Sequence, residues 1–156
     1  MPLYELDEVI GRYEGLARRA LDYTRTMKVL VDAAKDPDFS PGRWSELAAF
    51  VDRRGFERVG NFKEVMAWDE YVAFLDGWAR TSRWECSFKR VIQGRDVVLL
   101  ELEERSVVGS AASTVNSVSV YEFDAAGKIR HLDIYLQMPL PDPEMLKGYA
   151  GIAIAG

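Results

Sequence analysis

The stretch Tyr121-Glu122-Phe123-Asp124-Ala125-Ala126-Gly127-Lys128-Ile129-Arg130-His131-Leu132-Asp133-Ile134-Tyr135-Leu136 decides the fold. A four-residue polar and glycine-bearing turn, Asp124 to Gly127, separates two runs in which apolar and polar residues alternate. A period of two with a short turn between is the pattern of adjacent antiparallel strands, here over residues 114–123 and 128–138. Upstream, Gln93-Gly94-Arg95-Asp96 is a second short turn leading into a strand over about 97–108, and a Gly/Ala/Ser stretch at 109–113 leads out of it. Before that, Trp84, Cys86 and Phe88 point one way while Glu85, Ser87 and Lys89 point the other. Four long strands joined by short turns make an antiparallel meander.

The first half has a helical period. Leu6, Ile10, Tyr13, Ala17, Ala20, Thr24, Met27, Val31 and Ala34 recur at three- and four-residue steps, which predicts one amphipathic helix over 6–34. Asp36-Pro37-Asp38 stops it, because proline disfavours helical geometry in the residue before it. Ser40-Pro41 is a start signal for a second helix to about Arg53, burying Trp44, Leu47, Ala48 and Val51. Residues 56–59 read as a short strand and Gly60-Asn61 as a turn. A third helix over 68–81 has Asp69 and Glu70 in its first turn, where negative charge suits the helix dipole. Helices followed by an antiparallel sheet give an α+β arrangement, and a strongly bent sheet with three helices on its concave face leaves an apolar pocket between the layers.

Composition narrows the chemistry. The 156 residues, 48% hydrophobic, suffice for one core and not for two. A net charge of -5 lacks the basic excess that draws proteins to phosphate backbones or anionic lipid, so neither nucleic acid nor membrane is an expected partner. A single cysteine, Cys86, precludes an internal disulfide and a cysteine zinc site, and the residue content suits a reducing cytoplasm. The start, Met1-Pro2-Leu3-Tyr4-Glu5, lacks the order of a signal peptide. His131 is the only histidine, which rules out mechanisms needing two imidazoles and leaves no metal set, and no cofactor is expected.

Trp44-Ser45-Glu46-Leu47-Ala48-Ala49-Phe50, Phe56-Glu57-Arg58-Val59-Gly60, Trp68-Asp69-Glu70-Tyr71 and the opening stretch with Asp133-Ile134-Tyr135-Leu136 resemble the nuclear-transport-factor-2-like (NTF2-like) superfold. Within it they are similar to the SnoaL-like group, related to ketosteroid isomerase, limonene-epoxide hydrolase and polyketide cyclases. The resemblance covers about residues 12–138. It implies a cone-shaped domain over 1–138, with 139–156 as a C-terminal tail that reads either as a frayed terminus or as an apolar flap.

The resemblance also implies where acids belong. The general base of ketosteroid isomerases falls on Glu57 or Arg58, and Arg58 cannot serve, since guanidinium stays protonated. The position of the family's oxyanion-holding acid is Ser119, and Ile134 stands where an epoxide hydrolase of this fold needs an acid, so both patterns are departed from. Glu101 and Glu103 share a strand face and form a candidate acid/base pair if that face lines the pocket. The other reading puts Val98, Leu100 and Leu102 inside and both glutamates outside. The candidate catalytic residues are therefore Glu57, Glu101 and Glu103.

Asn61, Ser119, Tyr121, Tyr71 and Trp78 are the candidate substrate contacts, with Tyr121, Tyr71 and Trp78 open to a core role and Asn61 to a turn role. On the last strand Arg130, Leu132, Ile134 and Leu136 should face inward, which sends His131, Asp133, Tyr135 and Gln137 to the outer face. The resemblance implies a homodimer through that face, and a polar and aromatic stripe suits such an interface. The function expected is binding of a small, apolar, ring-bearing molecule, with cofactor-independent isomerase, cyclase or dehydratase chemistry, or ligand binding or dimerisation without catalysis.

Overall fold

The structure, a computed structural model, describes residues 1–140 and 143–155; Pro141, Asp142 and Gly156 of the tail lie outside the described residues. Strands β1 (Glu57–Val59), β2 (Val65–Ala67), β3 (Ser82–Gln93), β4 (Val97–Val108), β5 (Ala111–Phe123) and β6 (Ile129–Gln137) form a six-stranded sheet in the order β2-β1-β6-β5-β4-β3. The meander from β3 to β6 is antiparallel, as the turns predict. The sheet is nonetheless mixed, because β1 runs parallel to β6 with Arg58 opposite Leu132. A parallel pair needs a long crossover, and the chain between β1 and β6 supplies one.

The expected loop at 109–113 shrinks to Gly109 and Ser110, with Gly109 at a left-handed φ of 62°. Pairing then runs without a bulge from Val108 opposite Ala111 to Val97 opposite Glu122. An unbroken register keeps each strand's inner and outer faces fixed along its length.

Two helical expectations need correction. The predicted helix over 6–34 is broken into α1 (Leu6–Val9), a 3-10 turn at Ile10–Arg12 and α2 (Gly15–Ala33). Tyr13 is extended and Gly15 takes a φ of 63°, a conformation that glycine alone adopts without steric cost, so the apolar period continues across a real break. The second helix does not reach Arg53. It is a 3-10 turn, Pro41–Trp44, followed by α3 (Ser45–Ala48). Ile129 N–H donates to the Phe50 carbonyl at 2.8 Å and Asp52 N–H to that of Ile129 at 2.9 Å, so β6 captures the chain before another turn can form. The third helix, α4 (Trp68–Ala79), agrees with its prediction, and Glu70 accepts the Ala67 N–H at its start.

Helix α2 buries Ala17, Leu21, Met27, Leu30 and Val31 against the concave side of the sheet. It is also pinned by polar contacts: Ala17 N–H donates to Gln93 Oε1 at 2.7 Å, Arg19 Nε to the Gly127 carbonyl at 2.7 Å, and Lys28 Nζ to the Trp84 carbonyl at 2.8 Å. These ties reach both ends of β3 and the turn before β6, so the helix is fixed over the sheet from its first turns to its second half.

The tail returns to the fold. After α5 (Pro143–Leu146) and a turn at Lys147–Tyr149, Val65 N–H donates to the Ala153 carbonyl at 2.7 Å and Ile154 bridges to Glu64. The Tyr149 ring meets Phe62 edge-on at 5.2 Å and Phe74 at 5.4 Å. The tail from Pro143 to Ala155 thus packs beside the β1–β2 hairpin and α4.

Candidate functional site

Strand parity decides what faces the space beneath the helices. On β4, Val98, Leu100 and Leu102 are buried, and the same parity carries on to Glu104 and Ser106; on β5 it selects Ser113, Val115, Ser117, Ser119 and Tyr121. With Tyr23, Thr24 and Met27 of α2 and Tyr71, Phe74, Leu75 and Trp78 of α4, inward residues of these strands and of β6 enclose a cavity of about 230 Å³. Tyr149 from the tail and Arg58 from β1 complete the wall. The volume lies a little below the usual range of ~300–1,000 Å³ for small-molecule sites, which suits a small ligand.

Most of the wall is apolar or aromatic, so its polar groups stand out. Glu104 is the acid among the lining residues. Trp84 Nε1 donates to one of its oxygens at 2.8 Å and the Ser117 hydroxyl donates to the other. No cation forms an ion pair with Glu104 among the described residues. A carboxylate has about four lone-pair sites, so two donors orient it and leave it able to accept a proton from a ligand.

At the β1 side, Arg58 Nη1 meets Glu64 Oε1 at 3.3 Å, with Glu64 only 1% exposed and also accepting the Phe62 N–H at 2.9 Å. The guanidinium lies 5.0 Å from the centre of the Tyr71 ring. Burial works to lower the Arg58 pKa, but the phenols of Tyr71 and Tyr149 and the Glu64 carboxylate outweigh it and hold the charge in place. Tyr23 and Tyr121 pack edge-on, 5.9 Å between ring centres. Burial raises both phenols' pKa values, which keeps them protonated as donors; the Thr24 hydroxyl opposes the effect at Tyr121.

The expected site residues divide cleanly by location. Ser119, Tyr121, Tyr71 and Trp78 line the cavity, while Asn61 does not. Asn61 instead accepts the Leu136 N–H at 3.1 Å and so holds the end of β6. The three expected acids also stand outside it. Glu57 is about half-exposed and sits 3.4 Å from His131 Nδ1; Glu101 pairs with Arg90, whose hydrogen bond lowers its pKa; and Glu103 pairs with Arg105 at 3.0 Å. The reading with Val98, Leu100 and Leu102 inside is the one the packing adopts, because it buries three apolar side chains and spares two carboxylates the desolvation that the opposite parity would impose.

Sequence reasoning missed Glu104, Glu64 and Tyr23. Glu104 had a usable signal, since it shares the parity of Leu100 and Leu102. Glu64 and Tyr23 had none: one lies in a hairpin whose second strand is three residues long, the other on a helix face that reads as plain core.

No protein-family model matches the chain, and no curated protein matches it in sequence. Solved structures do match in fold. An NTF2-like protein of unknown function from Pseudomonas aeruginosa aligns at a TM-score of 0.57 with 18% identity, over 76% of this chain and 98% of that one. A limonene-epoxide-hydrolase-like epoxide hydrolase from Mycobacterium tuberculosis aligns at 0.54 with 15% identity, over 74% and 82%. An epoxide hydrolase/cyclase-like enzyme of pyran ring formation in the polyether salinomycin aligns at 0.56 with 15% identity, over 78% and 90%. Identities this low establish a shared fold and leave the chemistry to be argued from the cavity.

Proposed function

We propose that this chain, whose fold is NTF2-like, binds a small, largely apolar, ring-bearing molecule in the cavity and moves a proton on it with Glu104, without metal or cofactor. The observation that carries the reading is an oriented carboxylate, unpaired with any cation of the described residues, in a wall that is otherwise mostly apolar and aromatic. Such a group is placed to take a proton from a ring carbon and return it elsewhere, the step common to isomerisation, aldol-type cyclisation and dehydration. Fold relatives that include epoxide hydrolase and cyclase-like enzymes fit this class of chemistry.

A second reading, ligand binding without turnover, is favoured by one observation: Glu57, Glu101 and Glu103 all lie outside the cavity, so among the described residues Glu104 has no second acid beside it to complete an acid/base pair. The experiment that separates the two starts from a ligand found by thermal shift. In D2O the wild type should exchange a carbon-bound proton of that ligand, followed by NMR, and Glu104→Gln should bind it without exchanging. Binding by both proteins with exchange by neither selects the second reading.

We also propose that two copies pair through the outer sheet face, where His131, Asp133 and the largely exposed Tyr135 form a polar and aromatic stripe.

A further inference from the structure

We propose that the cavity's ligand is a carboxylic acid, held by its carboxylate at Arg58 and Tyr23 so that its ring points toward Glu104. The inference rests on the reading of the cavity as a ligand site and adds the chemical class of what enters it.

The argument begins with hydrogen bonds left unmade. Arg58 Nε is buried and has no hydrogen-bond partner among the described residues, and the Tyr23 hydroxyl, also buried, makes no well-formed hydrogen bond there and has only a loose contact with the Tyr71 phenol. Both residues line the same cavity. Burying a donor without a good acceptor is unfavourable, and two under-satisfied donors at one wall mark a place where a partner is expected.

The kind of partner follows from donor and acceptor counts. Arg58 carries five N–H groups and no acceptor, and its one ion pair among the described residues, to Glu64 at 3.3 Å, is longer than the ~2.7–2.9 Å of a good charge-assisted bond. The pKa values of Tyr23 and Tyr149 are raised, burial being the largest cause in each, so both phenols remain O–H donors. Glu64 is the acceptor on this side, and it is already engaged by Arg58 and by the Phe62 N–H. This wall therefore offers donors in excess. A carboxylate brings two oxygens and no hydrogen, and a planar guanidinium matches its geometry; an alcohol or amine brings donors the wall does not need.

Orientation follows from the register. Arg58 lies opposite Leu132, and Leu132 opposite Tyr121, whereas Glu104 lies on β4 opposite Val115. Tyr121 and Tyr23 stand between the two ends. A ligand anchored by its carboxylate at Arg58 thus directs its ring across these aromatic faces toward the carboxylate that the proposed function makes the proton carrier. The anchor takes no part in the proton step, so it acts on affinity and orientation.

The test is calorimetric titration with benzoate, cinnamate and 1-naphthoate, each against its methyl ester, at pH 7. The acids should bind at least tenfold tighter than their esters. Tyr23→Phe removes a hydroxyl whose one contact in the free protein is the loose one to Tyr71, so it should change the melting temperature little while weakening acid binding severalfold and ester binding little. Arg58→Gln combined with Glu64→Gln avoids a buried lone charge and should erase the acid preference. Esters binding as tightly as acids, or an acid preference that survives the double variant, would overturn the inference and leave the cavity reading intact. No binding by any acid or ester would overturn both.

Discussion

A Cβ on Gly60 would stand 1.6 Å from Glu64 Oε1, so the Glu64 carboxylate occupies the space that any side chain at position 60 would need. Glu64 has nowhere to retreat, being buried and tied to Arg58 and to the Phe62 N–H. Gly60→Ala should therefore break the Arg58–Glu64 pair and cost about 3–5 kcal/mol, the usual loss when one partner of a buried pair is stranded. Urea denaturation checks this, and a loss under about 1 kcal/mol would mean the pair can rearrange.

Glu101 and Glu103 should be dispensable where Glu104 is not. Glu101→Gln and Glu103→Gln each remove one partner of an ion pair outside the cavity wall, and pairs at such positions contribute little. Ligand affinity and any proton exchange should match the wild type in both, measured by calorimetry and NMR. Loss of exchange in either variant would return catalysis to the other face of β4.

Cys86 should be chemically silent in the folded protein. Burial, with a smaller contribution from Glu104, pushes its thiol from 9.0 up to about 12. The folded chain then holds a proton that the unfolded chain releases, so this group's contribution to stability is full below pH 9 and is lost as the pH rises toward about 12. Labelling with a maleimide at pH 8 should require unfolding by urea; rapid labelling of the native protein would contradict the burial.

The tail should control access to the cavity. Tyr149 lines it and packs on Phe62 and Phe74, while Ala153 and Ala155 bond to Val65 and Lys63 beside it. Tyr149→Ala should speed ligand release, seen as a faster dissociation phase in stopped-flow tryptophan fluorescence from Trp78 and Trp84. An unchanged dissociation rate would place the route of exit elsewhere.

If the outer face pairs two copies, Tyr135→Lys should yield a monomer by sedimentation, with a far-UV spectrum like that of the wild type. A wild type that sediments as a monomer at tens of micromolar would reject the pairing outright.

Much of the fold was legible because alternation survives where one face is buried. The strands after Ser82 each carry an apolar set long enough to read, and the turns at Gly94 and Gly127 fix their order. The short pieces were not legible. Three residues at Val65–Ala67 give no period, and the break at Gly15 is hidden because apolar spacing continues on both sides of it. Of the cavity wall, the aromatic and hydroxyl residues Tyr71, Trp78, Ser119 and Tyr121 follow from the periods already read. The acid did not, because a pair such as Glu101 and Glu103 draws notice, whereas Glu104 belongs to a face defined by its apolar neighbours. The Arg58–Glu64 pair depends on a hairpin and a glycine gap that only three-dimensional packing reveals.

The account rests on a cavity that takes a small ring-bearing ligand, and thermal shift tests that most directly when the wild type is compared with a cavity-filled Ser119→Phe variant. The panel would hold one- and two-ring acids, phenols, terpene epoxides and polyketide-like rings. The account predicts a saturable rise in melting temperature for a chemically related subset, approaching roughly 2.7 kcal/mol of added stability at ~100 times the dissociation constant, and no rise in the filled variant. Silence across the panel, or equal shifts in both proteins, would contradict it.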